Sequence, residues 1–255
     1  MREVILRFQG LKFIVPKETE CFWPYYGICF VGEYDPILSH ISGSDVVIDA
    51  GANIGIFILL ASRKARKVIA VEPDPKNFSY LVRNVKLNNA ENVILVNEAL
   101  SDYVGEGHIS GKGLSAALSP NKGTAVKVTT IDAMLRRLCV TKVDVVKMDV
   151  EGEEVKSLQG EYLSKVKEVM VEVHNANADK MIHSILETHG FAVSEWRFSL
   201  LKTLKKIFTN FMPFIDAESR NGFVALKYIL GLSNHPVPAA ERTSGIKLLY
   251  AVRLT

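Results

Sequence analysis

Two groups of residues in this chain have the types and spacing to do chemistry. The first is Asp49-Ala50-Gly51-Ala52-Asn53-Ile54-Gly55, followed by Glu72-Pro73, with Glu72 lying 21 residues after Gly51. A β-branched run ends in Asp49 and an apolar helical run follows Gly55, so the segment reads as a strand-to-helix turn whose glycines let the backbone approach a ligand. Glu72 closes the next β-branched run, where sheets of this kind place the acid that accepts hydrogen bonds from ribose hydroxyls. Pro73 fixes the turn after it. The second group is Asp149, Glu151, Glu172 and His174. Asp149 ends one apolar run and Glu172-x-His174 ends the next, where side chains at i and i+2 share a face. Neighbouring strands lie about 5 Å apart, which lets the four side chains converge.

The spacing of the first group selects its ligand. A dinucleotide fingerprint would place glycines at 51, 53 and 56, whereas this chain has Gly51, Asn53 and Ile56. That suits a nucleoside ligand without a pyrophosphate. S-adenosylmethionine fits, because its carboxylate and ammonium need mixed donors and acceptors, which Asp49, Asn53 and backbone groups supply. Backbone groups around Ala99 and Leu100 are placed to meet the adenine edge. Transfer of its methyl group to oxygen is an in-line displacement that requires an aligned acceptor and, for an alcohol, a base. His174 is the first choice for that base, since an unperturbed imidazole titrates near neutrality. Asp149 then holds the sulfonium or orients the acceptor, and Glu172 completes the cluster. Glu151, Glu153 and Glu154 also read as the acidic first turn of a helix. Asp149, Glu172 and Asn175 offer oxygen ligands to Mg²⁺, but oxygen ligands alone carry no specific spacing, and no metal site is assigned.

These residues need a sheet to hold them. From Asp45 onward, short β-branched runs alternate with amphipathic runs, the pattern of βαβ units. The expected strands are Val46-Asp49, Lys67-Glu72, Val93-Asn97, Val143-Asp149, Glu168-His174, Phe191-Phe198 and Lys247-Arg253. Helices are expected over Gly55-Lys64, Pro75-Asn88, Ile131-Leu138, Glu153-Gly160 and Ala178-Thr188, with Pro75 as a first-turn residue and Gly160 and Gly190 as stops. Residues 101–130 carry five glycines and read as a hairpin excursion. Residues 1–44 form a separate N-terminal β cap over the C-terminal edge of the sheet, with a hairpin over Val4–Val15. Residues 45–255 form the cofactor-binding domain, with an insertion at about 199–245.

The ordered blocks resemble the FkbM-type family of S-adenosylmethionine-dependent methyltransferases. They are Gly32-Glu33-Tyr34-Asp35-Pro36, Val47-Ile48-Asp49-Ala50-Gly51-Ala52-Asn53-Ile54-Gly55, and Val71-Glu72-Pro73-Asp74-Pro75-Lys76-Asn77-Phe78 running into Leu81, Asn84 and Asn88. Further on come Ala99-Leu100-Ser101-Asp102, Val128-Thr129-Thr130-Ile131-Asp132, Val146-Lys147-Met148-Asp149-Val150-Glu151-Gly152-Glu153-Glu154, Glu172-x-His174 and Leu249-Tyr250-Ala251-Val252-Arg253. The resemblance implies an α/β class I methyltransferase fold: a Rossmann-like sheet of seven mostly parallel strands, helices on both faces, the last strand antiparallel. It also implies O-methylation of a hydroxyl on a saccharide, glycolipid or secondary metabolite. The cap and the insertion depart from the family pattern, and both face the acceptor.

Composition narrows the alternatives. With 48% hydrophobic and 23% charged residues in 255, the chain is globular, and no apolar run reaches the length of about 18 residues that a membrane span needs. The N-terminus lacks the pattern of a secretory signal, so a cytoplasmic protein is expected. Three cysteines without a C-x-x-C spacing suggest neither a disulfide framework nor a zinc ribbon. A net charge of +3 permits nucleic acid without arguing for it. An RNA-modifying methyltransferase, with Phe22, Trp23 and Tyr26 stacking on bases, is the second reading, although no N-P-P-Y or D-P-P-Y tetrapeptide follows the fourth strand. A non-catalytic cofactor-binding protein or scaffold is the third, and it leaves the acids and histidine at the strand ends without a purpose. Over residues 197–214, Leu200, Leu201, Leu204, Ile207, Phe208 and Phe211 keep helical spacing among Arg197, Lys202, Lys205 and Lys206. This helix either packs as a lid or on a second subunit, the preferred reading, or makes peripheral contact with an anionic membrane.

Overall fold

The computed structural model describes residues 3–16, 22–111, 117–119, 121–197, 200–209 and 247–254. The chain opens with a hairpin, β1 (Glu3–Phe8) and β2 (Leu11–Pro16), turned by Gln9 and Gly10 at positive φ. Helix α1 (Trp23–Tyr26), a π-helical segment over Gly27–Val31 and α2 (Asp35–His40) follow. Then come β3 (Val46–Ala50), α3 (Ile56–Ser62), β4 (Lys67–Val71), α4 (Pro75–Leu87) and β5 (Val93–Val96). A second sheet contributes β6 (Ala99–Leu100), β7 (Gly105–Ser110), β8 (Ala117–Ser119) and β9 (Thr124–Thr129). The chain continues through α5 (Ile131–Arg137), β10 (Val145–Met148), α6 (Glu154–Ser157), β11 (Glu168–Val173), α7 (Ala176–Thr188), β12 (Phe191–Trp196), α8 (Leu200–Thr209) and β13 (Lys247–Arg253).

The main sheet has seven strands in the order β12-β13-β11-β10-β3-β4-β5. Its neighbours are parallel except for β13, which runs antiparallel to both β11 and β12. This is the class I methyltransferase fold expected from the sequence. Winding reverses between β3 and β10, so a crevice opens beyond their carboxyl ends, where open α/β sheets bind ligands. Both strands are buried along their whole length, which their apolar runs require. One core packs α2, α3, α4 and the hairpin on one face, and a second packs α5, α6 and α7 on the other.

Each expected strand is present, most of them one or two residues shorter than the β-branched runs. The excursion after β5 is larger than a hairpin. Ala99 and Leu100 pair in parallel with Val128 and Thr129, which closes a four-stranded sheet in the order β6-β9-β7-β8. The pairing buries all four of those residues. Helix α6 is a single turn, shorter than expected. The Asp132 carboxylate accepts the N–H groups of Glu161 and Tyr162, at 2.8 and 2.9 Å, and starts a 3-10 turn there.

The N-terminal hairpin docks on α4. The side-chain amides of Asn84 and Asn88, one turn apart, pair with the edge of β2 as a strand backbone would. Asn84 accepts from Ile14 N–H at 2.6 Å and donates to Ile14 C=O at 3.1 Å, while Asn88 accepts from Lys12 N–H at 2.9 Å and donates to Lys12 C=O at 2.6 Å. The part of residues 1–44 that faces the strand ends is helical rather than β, formed by α1, the π segment and the turn before α2. Helix α8 begins the insertion and lies against that segment, with Thr203 donating to Val31 C=O and Lys206 paired to Asp35 at 2.5 Å. The side chains of Leu200, Lys202, Leu204, Ile207 and Phe208, and residue Phe211, lie outside the described residues, as do residues 210–246. No described helix is long and apolar enough to cross a membrane.

Candidate active site

The turn after β3 is held by its own backbone. Gly51 and Ala52 both donate to Val71 C=O at 2.9 Å, which draws the turn against the end of β4. Gly51 has φ +78°, and a Cβ there would sit 1.8 Å from the Asp149 carbonyl oxygen, so strain and close approach both exclude a side chain. Asn53 is also left-handed, at φ 52°, with its Oδ1 accepting from Ile54 N–H at 2.7 Å. Its own N–H donates to Glu72 Oε2 at 2.8 Å, while Asp74 N–H donates to Glu72 Oε1 at 2.9 Å. Glu72 therefore clamps the turn while its carboxylate faces the crevice. Burial pushes it up to about 7 against the two N–H donors that lower it. Asn97 Nδ2 ties the end of β5 to the carbonyls of Glu72 and Pro73, at 2.8 and 3.2 Å.

Under this turn lies Lys147, a cation within the apolar run of β10. Its ammonium donates to Gly51 C=O at 2.7 Å, lies 3.0 Å from Asp49 Oδ1 and 3.9 Å from Asp149 Oδ2, and faces the Tyr34 ring at 5.4 Å. Burial alone would lower its pKa, but Asp49 and Asp149 outweigh that and hold it above the ordinary value. Asp49 has no exposed surface, and burial pushes its carboxyl up to about 6 in spite of Lys147. Asp49 Oδ2 accepts no hydrogen bond among the described residues. A buried acceptor facing the crevice suits the ammonium of an amino-acid ligand, which is the group S-adenosylmethionine presents.

Asp49, Gly51, Asn53, Glu72, Pro73, Ala99, Leu100, Asp149 and Glu172 all line one cavity. Gly55, at φ +93°, ends the turn and starts α3 beside it. Ile109 and Leu118 of the second sheet add an apolar wall near Ala99 and Leu100. His174 does not line the cavity. It stands behind Asp149 and Glu151, its Nδ1 2.9 Å from Glu154 Oε1 and its Nε2 3.3 Å from Glu151 Oε2 and 3.8 Å from Asp149 Oδ1. Burial would lower its pKa, yet Glu154, Asp149 and Glu151 together raise it to about 9. The ring is therefore cationic at neutral pH, unlike the ordinary imidazole expected from the sequence. Asp149, Glu172 and His174 bring one donor atom each within 4.8 Å, a set that could hold a divalent ion. Lys147 already supplies positive charge beside it, and no ligand role is assigned.

Sequence reasoning missed Lys147 and Tyr34 as members of the site. A lone lysine inside an apolar run that becomes a central strand was the available signal for the first, since a buried ammonium requires partners. Tyr34 is buried against Phe57, with ring centroids 5.5 Å apart, and its hydroxyl donates to Glu172 at 3.4 Å. Only the tertiary fold brings it to β11.

The sequence profile of the methyltransferase FkbM domain matches residues 49–199. This chain belongs to the FkbM methyltransferase family. It is 28% identical over 217 residues to methyltransferase sdnD of Sordaria araneosa, covering 64% of this chain and 83% of that one. It is 32% identical over 164 residues to the hexuronic acid methyltransferase AglP of Haloferax volcanii, covering 61% and 68%. A shorter stretch, 35% identical over 86 residues, matches a tRNA (guanine(37)-N(1))-methyltransferase of Batrachochytrium dendrobatidis, covering 31% of this chain and 18% of that one. A solved methyltransferase FkbM from Methylobacillus flagellatus superposes with a TM-score of 0.47 at 19% identity, over 63% of this chain and 42% of that one. The protein is an S-adenosylmethionine-dependent methyltransferase, and S-adenosylmethionine is its methyl donor.

Proposed function

We propose that this FkbM methyltransferase methylates a hydroxyl on a saccharide, glycolipid or secondary metabolite. The observation that carries the reading is that one cavity holds both the cofactor turn and a wall of acceptor-side carboxylates, Asp149, Glu151 and Glu172. In this reading Asp49 and the Gly51–Asn53 backbone hold the amino-acid end of the donor, and Glu72 holds its ribose. Pro73, Ala99 and Leu100 enclose the adenine, and Gly55 keeps the turn closed. Asp149 and Glu172 orient the acceptor. The name of the relative AglP supports a sugar acceptor.

The short likeness to a tRNA methyltransferase keeps RNA as the second reading. The charge of the cavity weighs against it. Among the described lining residues Lys147 is the only Lys or Arg, against Glu33, Glu98, Glu151 and Glu153 as well as the deeper acids, so a phosphodiester backbone meets repulsion. A screen with methyl-labelled S-adenosylmethionine against glycolipid, glycan, small-molecule and total RNA extracts tests the proposal. Label is expected in at least one of the first three, and label entering RNA alone would overturn it.

A further inference from the structure

We propose that Glu151 is the group that takes the proton of the acceptor hydroxyl, and that His174, anchored by Glu154, is a positioning residue for it. This rests on the hydroxyl-transfer reading above. The backbone supplies the first observation. Glu151 is a non-glycine residue at φ 52°, and Gly152 follows at φ +104°. Such backbone is strained for a residue with a side chain and persists where surrounding structure enforces it. Here it turns the chain so that Glu151 lines the cavity while Glu154, with no exposed surface, points back into the protein. Glu154 Oε1 lies 2.9 Å from His174 Nδ1 and accepts Gly152 N–H at 3.0 Å, so the imidazole and the strained turn share one anchor.

Ion-pair geometry supplies the second. With Glu154 hydrogen-bonded at Nδ1 and the carboxylates of Glu151 and Asp149 at 3.3 and 3.8 Å from Nε2, the ring is held as an imidazolium, which has no lone pair to receive a proton. The receiving group is then the carboxylate in front of it. The charged neighbours of Glu151 are Asp149, His174, Glu154 and Lys147; burial and the two acids raise it, the two cations lower it, and it rests at about 7. That suits a proton acceptor working near neutral pH. In the transfer the hydroxyl proton passes to a Glu151 oxygen as the acceptor oxygen bonds to the methyl carbon. The methyl–sulfur bond breaks with its electron pair left on sulfur, and Glu151 then returns the proton to solvent.

The test uses the full-length protein, the near-isosteric Glu151→Gln, and His174→Gln. Acceptors are neutral methyl glycosides, a uronic-acid glycoside and a glycolipid extract. Glu151→Gln is expected to lower kcat by about 10²- to 10⁴-fold with S-adenosylmethionine affinity unchanged, the usual range for loss of a general base. His174→Gln is expected to have the smaller effect on kcat and to shift the acid limb of its pH profile. In the S-adenosylhomocysteine complex, NMR titration of the His174 ring should move to lower pH in Glu151→Gln, a readout that needs no acceptor. Wild-type kcat in Glu151→Gln, or an unmoved His174 titration, would overturn the proposal. Wild-type protein that methylates RNA and none of the hydroxyl acceptors would overturn the underlying reading instead, and the NMR result would still decide the Glu151–His174 contact.

Discussion

Lys147 ties the ends of two central strands together, because its ammonium meets Asp49, Asp149 and the Gly51 carbonyl. All of this happens in a strand with almost no solvent access. Breaking a buried ion pair by removing one partner costs about 3–5 kcal/mol, since the other charge is left uncompensated. Lys147→Met is therefore expected to destabilise the protein by about that amount, read from urea denaturation. Asp49→Asn combined with Lys147→Met should be less destabilised than the sum of the two single variants; strict additivity would show that the pair is not coupled. Gly51→Ala places a methyl group on the Asp149 carbonyl. It is expected to abolish S-adenosylmethionine binding by calorimetry, and binding at wild-type affinity would contradict the geometry given for the turn.

Helix α4 links the N-terminal hairpin to the turn after β3. Asn84, fully buried, donates to Ile54 C=O at 2.8 Å as well as pairing with Ile14, so one side chain holds both. Asn84→Ala leaves buried backbone groups without partners, at about 1–3 kcal/mol for each. Loss of roughly 3 kcal/mol is expected, together with faster amide exchange in β2 and weaker cofactor binding. Unchanged exchange in β2 would mean that the hairpin is held by its apolar contacts alone. In the sequence, Asn84 and Asn88 enter only as members of a block that resembles the family. Their pairing with β2, about 70 residues away, was not legible there, because a side-chain amide imitates a strand only where the fold presents an edge to it.

Across the whole molecule the titrating groups set a pH dependence. Asp49, Glu72 and Glu151 are held above ordinary carboxyl values, so the folded chain keeps protons that the unfolded chain has lost, and stability falls as pH rises from about 4 to about 7. His174 acts in the same direction. Its stabilising contribution is complete below about 6.5 and is lost as pH rises through about 9. On the acid side, burial would raise Asp45 and Asp144, but Lys167 and, for Asp144, Lys142 outweigh it and hold both low. Their contribution is lost as pH falls below about 4. Stability of the cofactor-free protein is expected to peak at about pH 4 and to decline toward about pH 9. For each group the decline is at most about 1.4 kcal/mol for every tenfold difference in proton affinity between the folded and unfolded chain. A maximum at pH 8 in urea denaturation would contradict this arrangement of charges.

The sequence determined the alternation of strands and helices, the glycine turn after β3 with Glu72 beside it, and the meeting of Asp149 with Glu172 and His174. Each follows from short-range physics: side-chain periodicity, the backbone freedom of Gly51, and the fixed spacing of adjacent strands. The tertiary structure decided which groups face the ligand and in what charge state. Lys147 became the centre of the site because two carboxylates converge on it. Tyr34 joined through a segment far away in sequence, and His174 moved behind Glu151 because Glu154 anchors it. Burial and the sum of neighbouring charges depend on every element packed around a group, and no local pattern of residues carries that information.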